Sequence, residues 1–272
     1  MYLRSALFTR HLFSALLFSA VLFDTARAQP EPDPAYQGPF VVFLTHAVGL
    51  AYDDPGTLAR QLYKRKRFKR GFMGHSWIYL EGREGGRRFS IDAGLSPKGD
   101  DGTQFMLGVL NLSQYGYAHP TRAQKQNPRF EPNPISFLSR DHKNGYLQTR
   151  SDAKTPPTYA ARVNLTQEQY RKIRSLMDPK RPSHRSFQLN GQQCSSFVAT
   201  VAALADIALE HEITVAIPSS ITVAGKTYLL WTDPKYSRLT LSSPDVLERS
   251  LKQLVSQGRA TDVLRWYTRE LY

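Results

Sequence analysis

GHSWIYLEGREGGRRFSIDAG, residues 74–94, reads as two strands folded back about a Gly85-Gly86 turn. The aromatic and β-branched residues on either side suit a pleated, half-buried surface, and paired glycines supply the backbone freedom of a tight hairpin. His75 opens the first strand. With the turn centred on Gly85-Gly86, Asp92 returns on the same face as Tyr79, one diagonal step from Trp77. A small register shift or bulge then carries its carboxylate toward the His75 ring, where it would fix the tautomer. Ser90 and Glu81 share that face and are alternative orienting groups. Taken alone, Asp92 reads as a surface carboxylate of the hairpin.

On the N-terminal side, PFVVFLTHAVG (39–49) has the character of a buried strand. Asp54 followed by Pro55 starts a helix that runs to about Phe68. It ends in KRKRFKR (64–70), a solvated helix end whose cations suit the C-terminal dipole, or else an anion-docking patch. On the C-terminal side, residues 99–157 are rich in Tyr, Pro, Asn, Gln and Arg. So long an irregular stretch is either functional, such as a substrate lid, or contains strands that leave no clear pattern.

TYAARVNL (158–165) follows as a strand. Thr166 with Gln169 forms a capping box for a helix presenting Tyr170, Ile173 and Met177. A helix from Cys194 to about Leu209 comes next, then short extended segments at ITVAIP and KTYLLW. Ser243 and Pro244 begin a helix striped by Leu247, Leu251, Leu254 and Val255, and Gly258 stops it. A short last helix starts near Thr261.

The chain has 272 residues and a formal charge of +13. Arg4, Arg10 and His11 precede an apolar run, Leu12 to Phe23, and Ala26-Arg27-Ala28 has the small-x-small pattern of a signal-peptidase site. The run falls short of the roughly 20 apolar residues that span a bilayer. Residues 1–28 therefore read as a cleaved export signal, 29–38 as a proline-rich lead-in, and 39–272 as one domain with an irregular insertion at about 99–157. Cleavage removes Arg4, Arg10, Arg27 and Asp24, leaving +11. In a periplasmic or secreted protein the expected partners of such charge are anionic envelope polymer or a membrane lipid surface, and nucleic acid is disfavoured by compartment.

Cys194 is the single cysteine, so in an exported chain it has no internal disulfide partner. Two readings of it stand side by side. It is in phase with Phe197, Val198 and Val201, as a buried structural cysteine would be. It also follows the polar turn Asn190-Gly191-Gln192-Gln193, which sets the thiol in a first helical turn beside oxyanion donors: its own N–H and the amide of Gln192 or Gln193. A thiol nucleophile needs an imidazole. His119, His142 and His184 lie in Pro- and Arg-rich segments where a surface role is the default. His211 sits between Glu210 and Glu212 as a solvated pair. His46, at the end of the first strand, competes with His75, which has the better context.

GHSWIYLEG with its return strand, and much later NGQQCSSFVATV, resembles a circularly permuted papain-like cysteine hydrolase of the NlpC type, in the lecithin–retinol acyltransferase-like branch. SSPDVLERSL resembles the serine-proline-led helix that follows the nucleophile helix in bacterial members. The resemblance runs from about residue 39 to residue 255 and is carried by two short motifs. It implies an α+β fold, a small antiparallel sheet packed on the nucleophile-bearing helix. It also implies Cys194 as nucleophile, His75 as base, Asp92 as orienting residue and Gln193 at the oxyanion. The implied activity is hydrolysis of an amide bond in cell-wall peptide. Lipid acyl hydrolysis or transfer, and a catalytically inactive domain that binds envelope polymer, are the alternatives. Two departures stand out: Gln193 occupies the place of the usual asparagine before the cysteine, and the hairpin is longer than the compact form. No cofactor is implied. No H-E-x-x-H, C-x-x-C, G-x-S-x-G or phosphate-cradling glycine loop is present, so no metal site is expected.

Overall fold

The segment FVVFLTH forms β1 (Phe40–His46), buried along almost its whole length. A strand covered on both faces needs no polar alternation, and β1 lies inside a six-stranded sheet. The computed structural model describes residues 38–58, 60–61, 73–98, 143–149, 156–188, 190–223 and 226–271. The segment expected to be an export signal, nearly all of the lead-in, the KRKRFKR cluster, His119, His142 and most of the insertion lie outside the described residues.

After β1 come β2 (His75–Glu84), β3 (Arg87–Pro97), β4 (Gly145–Gln148) and β5 (Tyr159–Asn164), and near the C-terminus β10 (Thr261–Asp262). They form one antiparallel sheet in the order β10-β5-β1-β2-β3-β4. β6 (Glu212–Ala216) pairs with β9 (Arg238–Ser242), and β7 (Ser220–Val223) with β8 (Lys226–Leu229), as two separate ribbons. The helices are α1 (Gln167–Leu176), α2 (Cys194–Leu204), α3 (Pro244–Ser256) and α4 (Leu264–Glu270). The architecture is mixed α/β with an antiparallel sheet, compatible with the α+β class.

Side chains paired directly across antiparallel strands share a face. On one face Val41, Phe43, Ile78, Leu80, Ala93 and Leu95 meet Ile173 of α1, Val198 and Val201 of α2, and Leu247 and Leu251 of α3 in the main core. Each fully buried Leu or Ile there contributes roughly 1.5–3 kcal/mol. On the opposite face Phe40 and Tyr79 pack against Trp266 of α4, and Tyr79 also against Tyr267. A second core, with Leu50, Tyr52, Val215, Leu239 and Leu241, lies under the β6-β9 ribbon.

Local sequence rules place several of these elements. Gly85 and Gly86, at φ 55° and 80°, turn the hairpin as a type I′ loop requires. Thr166 and Gln169 form the capping box of α1, and Ser243 caps α3. Asp54 holds the Gly56 N–H at 2.9 Å and bonds the Thr57 hydroxyl at the start of the first helical turn. Two helix bounds need correction, and one alternative for the insertion is met. The cysteine helix ends at Leu204 rather than near Leu209, because Asp206 adopts φ 58° and the Ile207 N–H turns back to the Ala202 carbonyl at 2.9 Å. Within the insertion, Gly145–Gln148 is a strand of the kind that leaves no clear pattern, and it completes the sheet edge. Thr261 begins the short strand β10, and the last helix starts only at Leu264.

Candidate functional site at the head of β2

Gly74 sets the site. Its φ is 83°, and a Cβ there would stand 2.2 Å from the His46 carbonyl oxygen, so a side chain is excluded by backbone. The chain thereby enters the ladder with His75 directly opposite His46. His46 donates from Nδ1 to the Pro156 carbonyl at 3.0 Å, since a carbonyl can only accept. The His75 ring stacks on Trp77, with centroids 5.7 Å apart and planes 14° from parallel. Gly94 leaves the room it needs, because a Cβ there would lie 3.2 Å from His75 Nε2 and 3.0 Å from Trp77 Cβ. Burial, and then the neighbouring charge of His46, push the His75 pKa down to about 4. The ring is neutral at pH 7.

Cys194 begins α2 and is buried, 8% exposed. The helix docks through a buried contact between the hydroxyls of Ser195 and Ser76 at 3.1 Å. The first turn of α2 thus docks on Ser76, the residue that follows His75. Burial raises the thiol pKa, while the backbone N–H groups of Ser76, Ser195 and Cys194 itself and the Ser195 hydroxyl pull it back toward the thiolate. Among the described residues, the thiol donates to Gln193 Oε1 at 3.4 Å and lies 4.0 Å from the Ser195 hydroxyl. The β2–β3 ladder runs only as far as Ile78 opposite Ala93, so the His75–Trp77 segment stands where β3 leaves β2 to pair with β4. Nucleophile candidate and base candidate therefore lie at one strand end, but among the described residues no hydrogen bond joins the thiol to the His75 ring. They approach that end from opposite faces: Ser76 points toward α2, and His75 and Trp77 point toward α4.

Two expected contacts are not formed. Asp92 stands opposite Tyr79, four residues along β2 from His75, or about 13 Å at the usual strand rise. Its Oδ1 accepts instead from the Tyr267 hydroxyl at 2.7 Å. The alternatives are farther still. Ser90 pairs with Glu81, and the Glu81 carboxylate is held by the Tyr79 hydroxyl at 2.6 Å and by Arg88 at 2.8 Å. Gln193 donates from Nε2 to the Ser242 carbonyl at 2.7 Å, which fixes the amide with its oxygen toward the thiol. That side chain accepts where an oxyanion needs a donor. The remaining donors are the backbone N–H groups at the start of α2.

His184, expected at the surface, is 1% exposed, donating from Nε2 to the Leu176 carbonyl at 2.8 Å and edge-on to Phe197. Its Pro- and Arg-rich neighbours misled, because a 3₁₀ turn at Pro182–Arg185 folds the ring inward. His211 lies 3.9 Å from Glu212. Asp245, in SSPD, is a further residue beside the site. Its carboxylate accepts from the Val48 and Gly49 N–H groups at 3.0 and 2.6 Å and from Tyr52 at 3.1 Å, pinning the chain just after His46. An acid at the second position of a serine-capped helix is the available signal. Among the described residues no group of three His, Cys, Asp or Glu side chains could hold a metal ion, and no helix is long and apolar enough to cross a membrane.

No family model, curated protein or solved structure matches the chain.

Proposed function

We propose that the chain is an exported cysteine hydrolase of permuted papain-like, NlpC-type architecture that cleaves an amide bond in cell-wall peptide. One observation carries this reading: the Ser195 hydroxyl, next to the Cys194 thiol in the first turn of α2, meets the hydroxyl of Ser76, the residue following His75, at 3.1 Å. The resting pair is a neutral thiol and a neutral imidazole, so the chemistry is general-base assisted rather than that of a preformed ion pair. Past the N-terminal end of β2, where the two faces meet, His75 takes the thiol proton as Sγ bonds to the carbonyl carbon. The Cys194 and Ser195 N–H groups receive the oxyanion. The C–N bond breaks as His75 returns the proton to the leaving nitrogen, leaving a thioester. Water, deprotonated by His75, then attacks the thioester carbon, releasing the acid and restoring the thiol.

A second reading has its own support. A thiol that is buried, held in the protonated form and capped by Gln193 suits an inactive domain that binds envelope polymer through its basic surface. Incubating cell-wall fragments and phospholipid vesicles with wild type and Cys194→Ala separates these cases. Peptide release by wild type alone supports the amidase. Fatty-acid release supports the lipid acyl reaction of the same fold. Polymer binding without turnover, unchanged in Cys194→Ala, supports the binding domain.

A further inference from the structure

Neither ring nitrogen of His75 has a hydrogen-bond partner among the described residues, yet a base must be held in one orientation to serve a thiol. Its ring is instead bounded by Trp77 on one side and by the gap above Gly94. Trp77 is itself anchored: its Nε1–H donates to the Tyr267 hydroxyl at 3.2 Å, and that hydroxyl donates to Asp92 at 2.7 Å. Tyr267 is 1% exposed and Trp77 3% exposed. Buried hydrogen bonds of this kind discriminate sharply between rotamers, because the losing rotamer strands a polar group. The Tyr267 ring is fixed in turn by its edge contact with Tyr79, and α4 by the Val263 N–H on the Ala160 carbonyl at 3.0 Å.

We propose that Tyr267 is a positioning residue for His75, acting through Trp77, and that Asp92 serves the site by holding the Tyr267 hydroxyl rather than by touching the imidazole. This rests on the reading of His75 as the base. It replaces the expected carboxylate–imidazole contact with a four-residue chain in which stacking is the last link. The role is orientational, so the hydrogen bonds matter and the charge of Asp92 does not. An asparagine at 92 still accepts from Tyr267 through its amide oxygen. A phenylalanine at 267 keeps the ring and its packing on Tyr79 but removes both hydrogen bonds.

The test is side-chain NMR of full-length protein carrying 15N-histidine, with His75 assigned by its loss in His75→Gln. Tyr267→Phe is expected to shift the His75 ring resonances and mix its tautomers, whereas Asp92→Asn leaves them near wild type and Asp92→Leu moves them as Tyr267→Phe does. If the chain turns over cell-wall peptide, kcat in Tyr267→Phe should fall about tenfold with KM held within about twofold. A Tyr267→Phe protein that melts lower but keeps the wild-type His75 resonances overturns the proposal and leaves Tyr267 a packing residue. The NMR arm needs no turnover, so an inactive protein with the expected shifts refutes the hydrolase reading alone.

Discussion

The hydroxyls of Ser76 and Ser195 stand 3.1 Å apart in the buried contact between β2 and the first turn of α2. Each belongs to the residue immediately after a candidate catalytic group, so this one hydrogen bond fixes how the helix start meets the strand start. Single Ser76→Ala and Ser195→Ala variants should each lose stability in denaturant titrations. The double mutant should lose less than the sum, with a coupling on the order of 1 kcal/mol. Strict additivity would show that the contact does not hold the two elements together.

His75 makes the fold acid-sensitive. Its folded pKa, about 4, lies below the unfolded value of 6.5. The unfolded chain therefore binds a proton that the folded chain refuses, and stability is lost as pH falls from 6.5 toward 4. The loss attributable to this ring is on the order of 3 kcal/mol. Asp92 is raised by burial and works in the opposite direction, so the comparison must be wild type against His75→Gln over the same range. The difference in unfolding free energy between them should change with that slope. A difference that stays constant across this window contradicts a neutral imidazole held below its ordinary range.

Gly94→Ala places a Cβ 3.0 Å from Trp77 Cβ and 3.2 Å from His75 Nε2. Neither the strand nor the stacked ring can give way freely, so a cost of roughly 1–3 kcal/mol in thermal or chemical unfolding is expected. Any hydrolase activity should fall further than this stability loss explains. A variant with wild-type melting and activity would mean that the His75 ring does not occupy this gap.

Resting Cys194 should alkylate slowly at neutral pH. Burial raises its pKa, and a neutral thiol is a poor nucleophile toward iodoacetamide. The labelling rate, followed by mass spectrometry, should climb only above the ordinary thiol range of about 8.5–9. A labelling midpoint below pH 8 would reveal a thiolate stabilised more strongly than three backbone N–H groups and a buried site allow.

The hairpin register is legible in the sequence because two adjacent glycines fix the turn, and every cross-strand pair from Glu84–Arg87 to Tyr79–Asp92 follows by counting. Capping boxes and serine caps are equally local, so α1 and α3 start where Thr166 and Ser243 place them. What stays hidden depends on partners far along the chain. β4 is four residues long and is a strand only because β3 offers it an edge. Asp92 sits where counting puts it, but its carboxylate turns to Tyr267, 175 residues away in sequence. No pattern near the hairpin reveals a hydroxyl arriving from the C-terminal helix. Gln193 is the same case, since the Ser242 carbonyl decides which end of its amide faces the thiol.

The central claim is that Cys194 forms a covalent acyl intermediate with His75 as its base. Intact-protein mass spectrometry during turnover of cell-wall peptide, quenched in acid, tests it most directly. Wild type should carry an added acyl mass mapping to Cys194, Cys194→Ala none, and His75→Gln should accumulate it at least about 100-fold more slowly. Substrate cleaved at equal rates by wild type and Cys194→Ala, with no adduct on the thiol, would contradict it.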